Sequence, residues 1–187
     1  MGYLEVIAGP MYCGKTEELI RQVRRAAIGK KRVQVFKHEI DKRYGLEKKL
    51  HSHAGISFES DVISKAEHIL KKLDPKTEIV AIDEAQWFGE ELVGVVETLL
   101  KKHKKVLVSG LAMTYDRQPF TPIPTLMAIA DRVTKLSAVC TMCGADAVYH
   151  KRINKVGKNI DPLKADTVLV GSQSSYEARC RECYKKK

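Results

Sequence analysis

The sequence predicts an α/β fold: a parallel sheet with helices on both faces, followed by a small zinc-ribbon-like module. Three observations carry this. Strand-length apolar runs alternate with helical patterns through residues 1–136, and such alternation implies parallel strands joined by crossover helices. A glycine-containing string of eight residues joins the first strand to the first helix. Two Cys-x-x-Cys pairs occupy residues 137–187, where that rhythm stops. The expected division is therefore an α/β part, 1–136, and a metal-binding part, 137–187.

The first strand is Leu4–Ala8, and it runs into Gly9-Pro10-Met11-Tyr12-Cys13-Gly14-Lys15-Thr16. This string fits G-x-x-x-x-G-K-[ST] at every position. A helix is expected over Lys15–Ile28, with Leu19, Ile20, Val23, Ala26 and Ala27 on its apolar face. In such a loop, backbone N–H groups converge on phosphate oxygens and the helix N-terminus points at them. Lys15 would meet the outer phosphates, and the Thr16 hydroxyl would hold Mg²⁺. Strand, loop and helix together predict a sheet of the phosphate-loop NTPase (RecA-like) kind that binds a nucleoside triphosphate.

Further strands are expected at Arg32–Phe36, Glu78–Ile82, Lys105–Ser109 and, shorter, Arg132–Leu136. Helices are expected at Lys65–Leu73, Glu90–Lys102 and near Leu126–Ala130. Asp74-Pro75-Lys76-Thr77 is a turn that stops one helix before the next strand. Lys37–Ser60 reads as an irregular stretch, and its His38, His51 and His53 read as loop or pocket residues rather than metal ligands. Long loops in compact α/β domains tend to be functional.

Ile79-Val80-Ala81-Ile82-Asp83-Glu84 is an apolar strand ending in two carboxylates. Asp83 is placed to bind Mg²⁺. Glu84, one residue further, can point into the crevice and take a proton from an attacking hydroxyl. The following Ala85-Gln86 completes a string also seen in helicases. A helicase core needs two motor domains, and this chain has room for one.

Cys140, Cys143, Cys180 and Cys183 are expected to bind one structural Zn²⁺, because in a reduced chain paired knuckles are metal spacing. The 36 residues between Cys143 and Cys180 imply a long insertion between knuckles. Val148–Asn154 and Thr167–Val170 are expected to pair as strands within it. Lys155–Asp166, rich in Lys, Asn and Gly, reads as a loop that orders around a ligand.

The net charge is +10, from 33 basic and 23 acidic side chains. The lysines are scattered, and with four Phe and one Trp there is no aromatic–basic interleaving of the kind that stacks bases. The charge reads as a solvated surface that attracts anionic nucleotides; a nucleic-acid partner is not expected. No apolar run approaches the ~18 residues of a membrane helix. The N-terminal residues lack a charged segment followed by an apolar one, so a cytoplasmic protein is expected.

The phosphate loop, Asp83-Glu84-Ala85-Gln86-Trp87-Phe88, and Gly110-Leu111-Ala112-Met113-Thr114-Tyr115-Asp116-Arg117-Gln118-Pro119-Phe120 resemble the zinc-containing, phosphate-loop type of thymidine kinase. So do Asp41-Lys42-Arg43-Tyr44 and Tyr176-Glu177-Ala178-Arg179-Cys180-Arg181-Glu182-Cys183-Tyr184. The resemblance spans the chain and keeps the motif order. It implies an ATP:thymidine 5′-phosphotransferase acting in nucleoside salvage, a homotetramer, and inhibition by the end product dTTP. Gly9 to Thr16 and Asp83 to Gln86 would bind ATP, with Lys15 and Thr16 on triphosphate and Mg²⁺. Glu84 would be the base for the 5′-hydroxyl, and Arg43 would neutralise the transferring phosphoryl group. Met11, Trp87, Leu111 and Phe120 would line the slot for the base. His150 and the backbone of Val168, Leu169, Val170, Gly171 and Ser172 would lie on a lasso that covers the nucleoside. Tyr176 would close the other side, and zinc would anchor the cover. Three departures stand out: Trp87 where Phe is usual, Cys13 where Ser is usual, and a lysine-rich Gly45–Leu50.

Base selection is expected to run through the backbone of Val168–Ser172, since Gln173 is the only nearby side-chain amide. A zinc-ribbon ATPase acting on nucleic acid is the alternative class, and a kinase for another nucleoside is a third. ADP release with thymidine, other nucleosides, and DNA or RNA separates them.

Overall fold

The computed structural model of the chain describes residues 1–40, 49–51, 57–153 and 176–185. In chain order the elements are β1 (Tyr3–Ala8), α1 (Lys15–Ile28), β2 (Val33–His38), β3 (Lys49–His51), β4 (Ser57–Glu59), β5 (Asp61–Ile63), α2 (Glu67–Lys72) and β6 (Ile79–Asp83). A 3-10 turn, Ala85–Phe88, leads to α3 (Glu91–Lys101), β7 (Lys105–Gly110), α4 (Ile123–Ile129) and β8 (Arg132–Lys135). After these come β9 (Ala138–Val139), β10 (Asp146–Ala147), β11 (Tyr149–Arg152), β12 (Tyr176–Arg179) and α5 (Arg181–Tyr184).

Six strands form one sheet in the order β5-β2-β6-β7-β1-β8, and every pairing in it is parallel. Side chains alternate along β1 between two cores. Leu4, Val6 and Ala8 join Val80, Ile82, Val106 and Val108 under Ile69, Leu92, Val96 and Ile123 of α2, α3 and α4. Ile7 joins Val35, Ala81 and Leu107 under Leu19, Ile20 and Val23 of α1. Helices thus cover both faces, as expected for strands that read as near-continuous apolar runs. Glu5 is buried on the α1 face, where its Oε1 accepts from Gln22 at 2.7 Å and Lys105 and Arg132 lie at 3.9 and 3.6 Å.

Two expectations need correction. Lys37–Ser60 is not wholly irregular: β2 continues through buried Lys37 and His38, β3 and β4 form a short antiparallel hairpin, and β5 then extends the sheet edge. Polar residues at the end of a buried strand hid its length. His38 is a core residue, not a loop one. Ile40 N–H donates to its Nδ1 at 3.1 Å, its Nε2 lies 3.1 Å from the Ser64 carbonyl, and its ring meets Phe88 edge-on at 4.8 Å. Burial lowers its pKa, so it is a neutral donor–acceptor. His51 lies in β3, and His53 lies outside the described residues.

The second correction concerns α4, which begins at Ile123 with a proline in its first turn, a few residues before the expected start. Proline suits that position, because the first-turn N–H has no helical partner. Beyond β8, β9 pairs with β10 and β11 with β12, both antiparallel. The described partner of β11 is therefore Tyr176–Arg179. Thr167–Val170 and the Lys155–Asp166 loop lie outside the described residues.

Candidate active site and metal centre

Parallel strands deliver the ends of β1, β6 and β7 to one edge of the sheet. The phosphate-loop string leaves β1 there and turns back into α1. Tyr12 and Gly14 take left-handed backbone conformations, φ 66° and 82°, and at Gly14 the missing Cβ makes that cheap. Lys15 is buried and its Nζ donates to the Pro10 carbonyl at 2.7 Å, 3.9 Å from the Cys13 thiol. Burial raises the Cys13 pKa, against the lowering effect of Lys15. The thiol is thus held protonated at neutral pH.

Across β7, Thr16 Oγ1 donates to Asp83 Oδ2 at 3.0 Å. Two hard oxygen ligands, one on each side of the crevice, suit the ion that Mg²⁺-dependent nucleotide sites use. Glu84 follows in a left-handed conformation, φ 50° and ψ 40°. That conformation is uncommon for a residue other than Gly, Asn or Asp, and it turns the chain sharply out of β6 into the 3-10 turn. Gln86 Nε2 donates to Glu84 Oε2 at 2.5 Å. Gln86 Oε1 accepts from the Leu111 N–H at 3.0 Å. All three residues are buried.

The residues expected around the base fall into two groups. Trp87 and Phe120 meet edge-to-face at 5.5 Å, and Leu111 follows β7 directly in the chain. Tyr176 lies against His150 at 5.9 Å and Tyr115 at 6.3 Å, and its carbonyl accepts from the Tyr12 hydroxyl at 3.3 Å. Among the described residues no ring contact joins the groups. Met11 is half-buried in the loop. Burial first, and the charge of Lys15 second, push the His150 pKa down to about 4, so this ring is neutral at neutral pH. Arg43 and Val168–Ser172 lie outside the described residues.

Tyr115 carried no expected role, yet it binds the loop after β7 to the cysteine module. The Tyr184 hydroxyl donates to its carbonyl at 2.5 Å. The Arg152 guanidinium lies 5.8 Å from its ring, and Arg117 lies 4.9 Å from the Tyr184 ring. A single aromatic among the polar residues of Thr114–Gln118 was the one signal in the sequence.

Cys140, Cys143, Cys180 and Cys183 bring their sulfurs within 4.8 Å of one another, with Cys143 and Cys180 3.7 Å apart. A tetrahedron with bonds of about 2.3 Å has edges of just this order. The pKa of Cys140 is pulled down to about 6, chiefly by the Cys180 backbone N–H. That of Cys183 is pushed up to about 12, chiefly by the Cys143 thiol. Four sulfurs this close can all shed their protons only around a cation, so the donor set fits Zn²⁺. The cluster packs Tyr12 and Cys13 of the phosphate loop against Ala138, Ala147 and Ala178.

A protein-family model described as thymidine kinase matches residues 2–184. The chain belongs to the thymidine kinase family. Family membership implies ATP:thymidine 5′-phosphotransferase activity, with thymidine as substrate and ATP as donor. Among the described residues of this kinase, no helix is long and apolar enough to cross a membrane.

Proposed function

We propose that the chain transfers the γ-phosphate of ATP to the 5′-hydroxyl of thymidine in a Mg²⁺-dependent reaction, with Glu84 as general base. The observation that carries this is the junction after β6, where Thr16 and Asp83 meet at 3.0 Å and Glu84 is turned out of the strand beside them. Thr16 and Asp83 would hold Mg²⁺, which would supply positive charge to neutralise the phosphates. The Gly9–Thr16 backbone would cradle the triphosphate, with Ala85 and Gln86 at its edge. Lys15 would leave the Pro10 carbonyl for the outer phosphates, and Arg43 would add charge at the transferring group. Glu84 would take the hydroxyl proton as the new bond forms. Most of the rate would come from positioning and electrostatics, as is general for phosphoryl transfer.

In this reading residues 1–136 bind ATP, and 137–187 hold a structural zinc and cover the nucleoside. Met11, Trp87, Leu111 and Phe120 form one wall of the slot, and His150, Val168–Ser172 and Tyr176 the other. A cytoplasmic homotetramer inhibited by dTTP and serving thymidine salvage belongs to the same proposal, supported by resemblance to the zinc-containing type.

Glu84→Gln tests it: ATP and thymidine binding should persist while kcat falls at least ~10²-fold. Near-normal turnover would remove Glu84 from the role.

A further inference from the structure

We infer that Gln86 is a positioning residue for the phosphotransfer, a fixed bridge that sets the Glu84 carboxylate against the backbone of the nucleoside slot at Leu111. This rests on the reading of Glu84 as the base.

The bridge has one possible orientation. The Leu111 N–H is a donor and demands an oxygen, so Gln86 Oε1 faces it at 3.0 Å. The amide NH₂ then faces Glu84 and donates to Oε2 at 2.5 Å. An ordered amide between a donor and a carboxylate cannot be flipped without breaking both bonds. Gln86 is 3 % exposed and both ends of its amide are engaged, so at the edge of the triphosphate it would offer backbone, which the variants below keep, and not its side chain.

The surroundings hold the bridge still. Gln86 sits on the 3-10 turn between buried Ala85 and Phe88, and the Trp87 N–H donates to the Glu84 carbonyl at 3.1 Å. Gly110 supplies the space for the amide oxygen. A Cβ built there would lie 2.8 Å from Gln86 Oε1 and 2.6 Å from Ile123 Cδ1. A base must stand within hydrogen-bond reach of its proton. The base slot begins at Leu111, so one side chain ties the proton acceptor to the wall that would fix the nucleoside. Rigid support of this kind is what a reacting geometry requires.

A double-mutant cycle on the full chain tests the bridge. Gln86→Met keeps the shape and removes both bonds; Gln86→Glu keeps the acceptor for Leu111 but places a second carboxylate against Glu84. In single-turnover assays both variants should lose roughly 10–100-fold in rate. The affinity for a fluorescent ADP analogue and the thymidine KM should stay within about threefold. In a Glu84→Gln background, Gln86→Met should cost less than about threefold more, because the group it positions is gone. An equal loss in both backgrounds would show that Gln86 acts independently of Glu84 and would overturn the inference. So would a wild-type rate in Gln86→Glu, or a loss confined to ADP affinity. Failure of the underlying reading looks different: Glu84→Gln alone would then turn over normally. If Gln86→Met fails to fold, Gln86→Glu carries the same test.

Discussion

At the floor of the site, β1 and β7 run for six residues each and β6 for five, between two apolar cores. At the covering wall, β9 and β10 have two residues each and α5 has four. Among the described residues, the six buried in that wall's cluster are three cysteines and three alanines. The floor can hold its shape by burial alone. The described part of the wall buries too little for that, and small elements of this kind take their stability from a metal. In the proposed reading, the half of the site that would grip phosphate is built into the sheet, while the half that would close on the nucleoside depends on four sulfurs.

The comparison can be broken at the floor first. Lys15→Ala should abolish activity in a folded protein, since no second point charge replaces it in the loop. A melting curve and an ADP-release assay check this; a folded, active variant would sink the phosphate-loop assignment. At the wall, Cys180→Ser should lower the zinc content measured by elemental analysis and weaken thymidine binding far more than ATP binding. Zinc-free protein with intact thymidine affinity would contradict it.

A subtler contrast concerns pH. His150 belongs to the wall, and its folded pKa of about 4 lies below the ordinary value of 6.5. The unfolded chain therefore binds more protons between these values. The stability that His150 contributes is fully present above about pH 6.5 and is lost as pH falls toward 4. The difference is on the order of 3 kcal/mol. His150→Gln should flatten that part of the stability–pH curve in denaturant titrations; an unchanged slope would place the proton uptake elsewhere. The smallest effect is expected at Trp87. Its indole N–H is buried without a hydrogen-bond partner among the described residues, so Trp87→Phe removes that donor while keeping the edge-on contact with Phe120. Stability should stay level or rise by about 1 kcal/mol. A loss above ~2 kcal/mol in denaturant titration would show that ring bulk dominates there.

Much of the floor was legible in the sequence because its signals are local. The loop pattern, the apolar run ending in Asp83, and strand–helix alternation each occupy one short stretch. The four cysteines were legible from spacing, and their convergence within 4.8 Å follows once β9, β11 and β12 form. What was not legible depends on contacts across distant residues. Nothing near Gln86 says that its amide oxygen will meet Leu111, because that contact needs β6 and β7 side by side and a glycine at 110. His38 read as loop because a polar strand end looks like a loop in sequence; its partners, Ser64 and Phe88, are brought by other elements. Tyr115 meets the cysteine module through Arg152, Tyr176 and Tyr184, the last of them 69 residues away.

The most direct test of the account is a pair of titrations on native and metal-stripped protein, one with thymidine and one with a non-hydrolysable ATP analogue. The account predicts that stripping zinc weakens thymidine binding at least ~10-fold and leaves the ATP analogue's affinity within about twofold. Equal loss of both ligands, or thymidine binding that survives complete zinc removal, would contradict it.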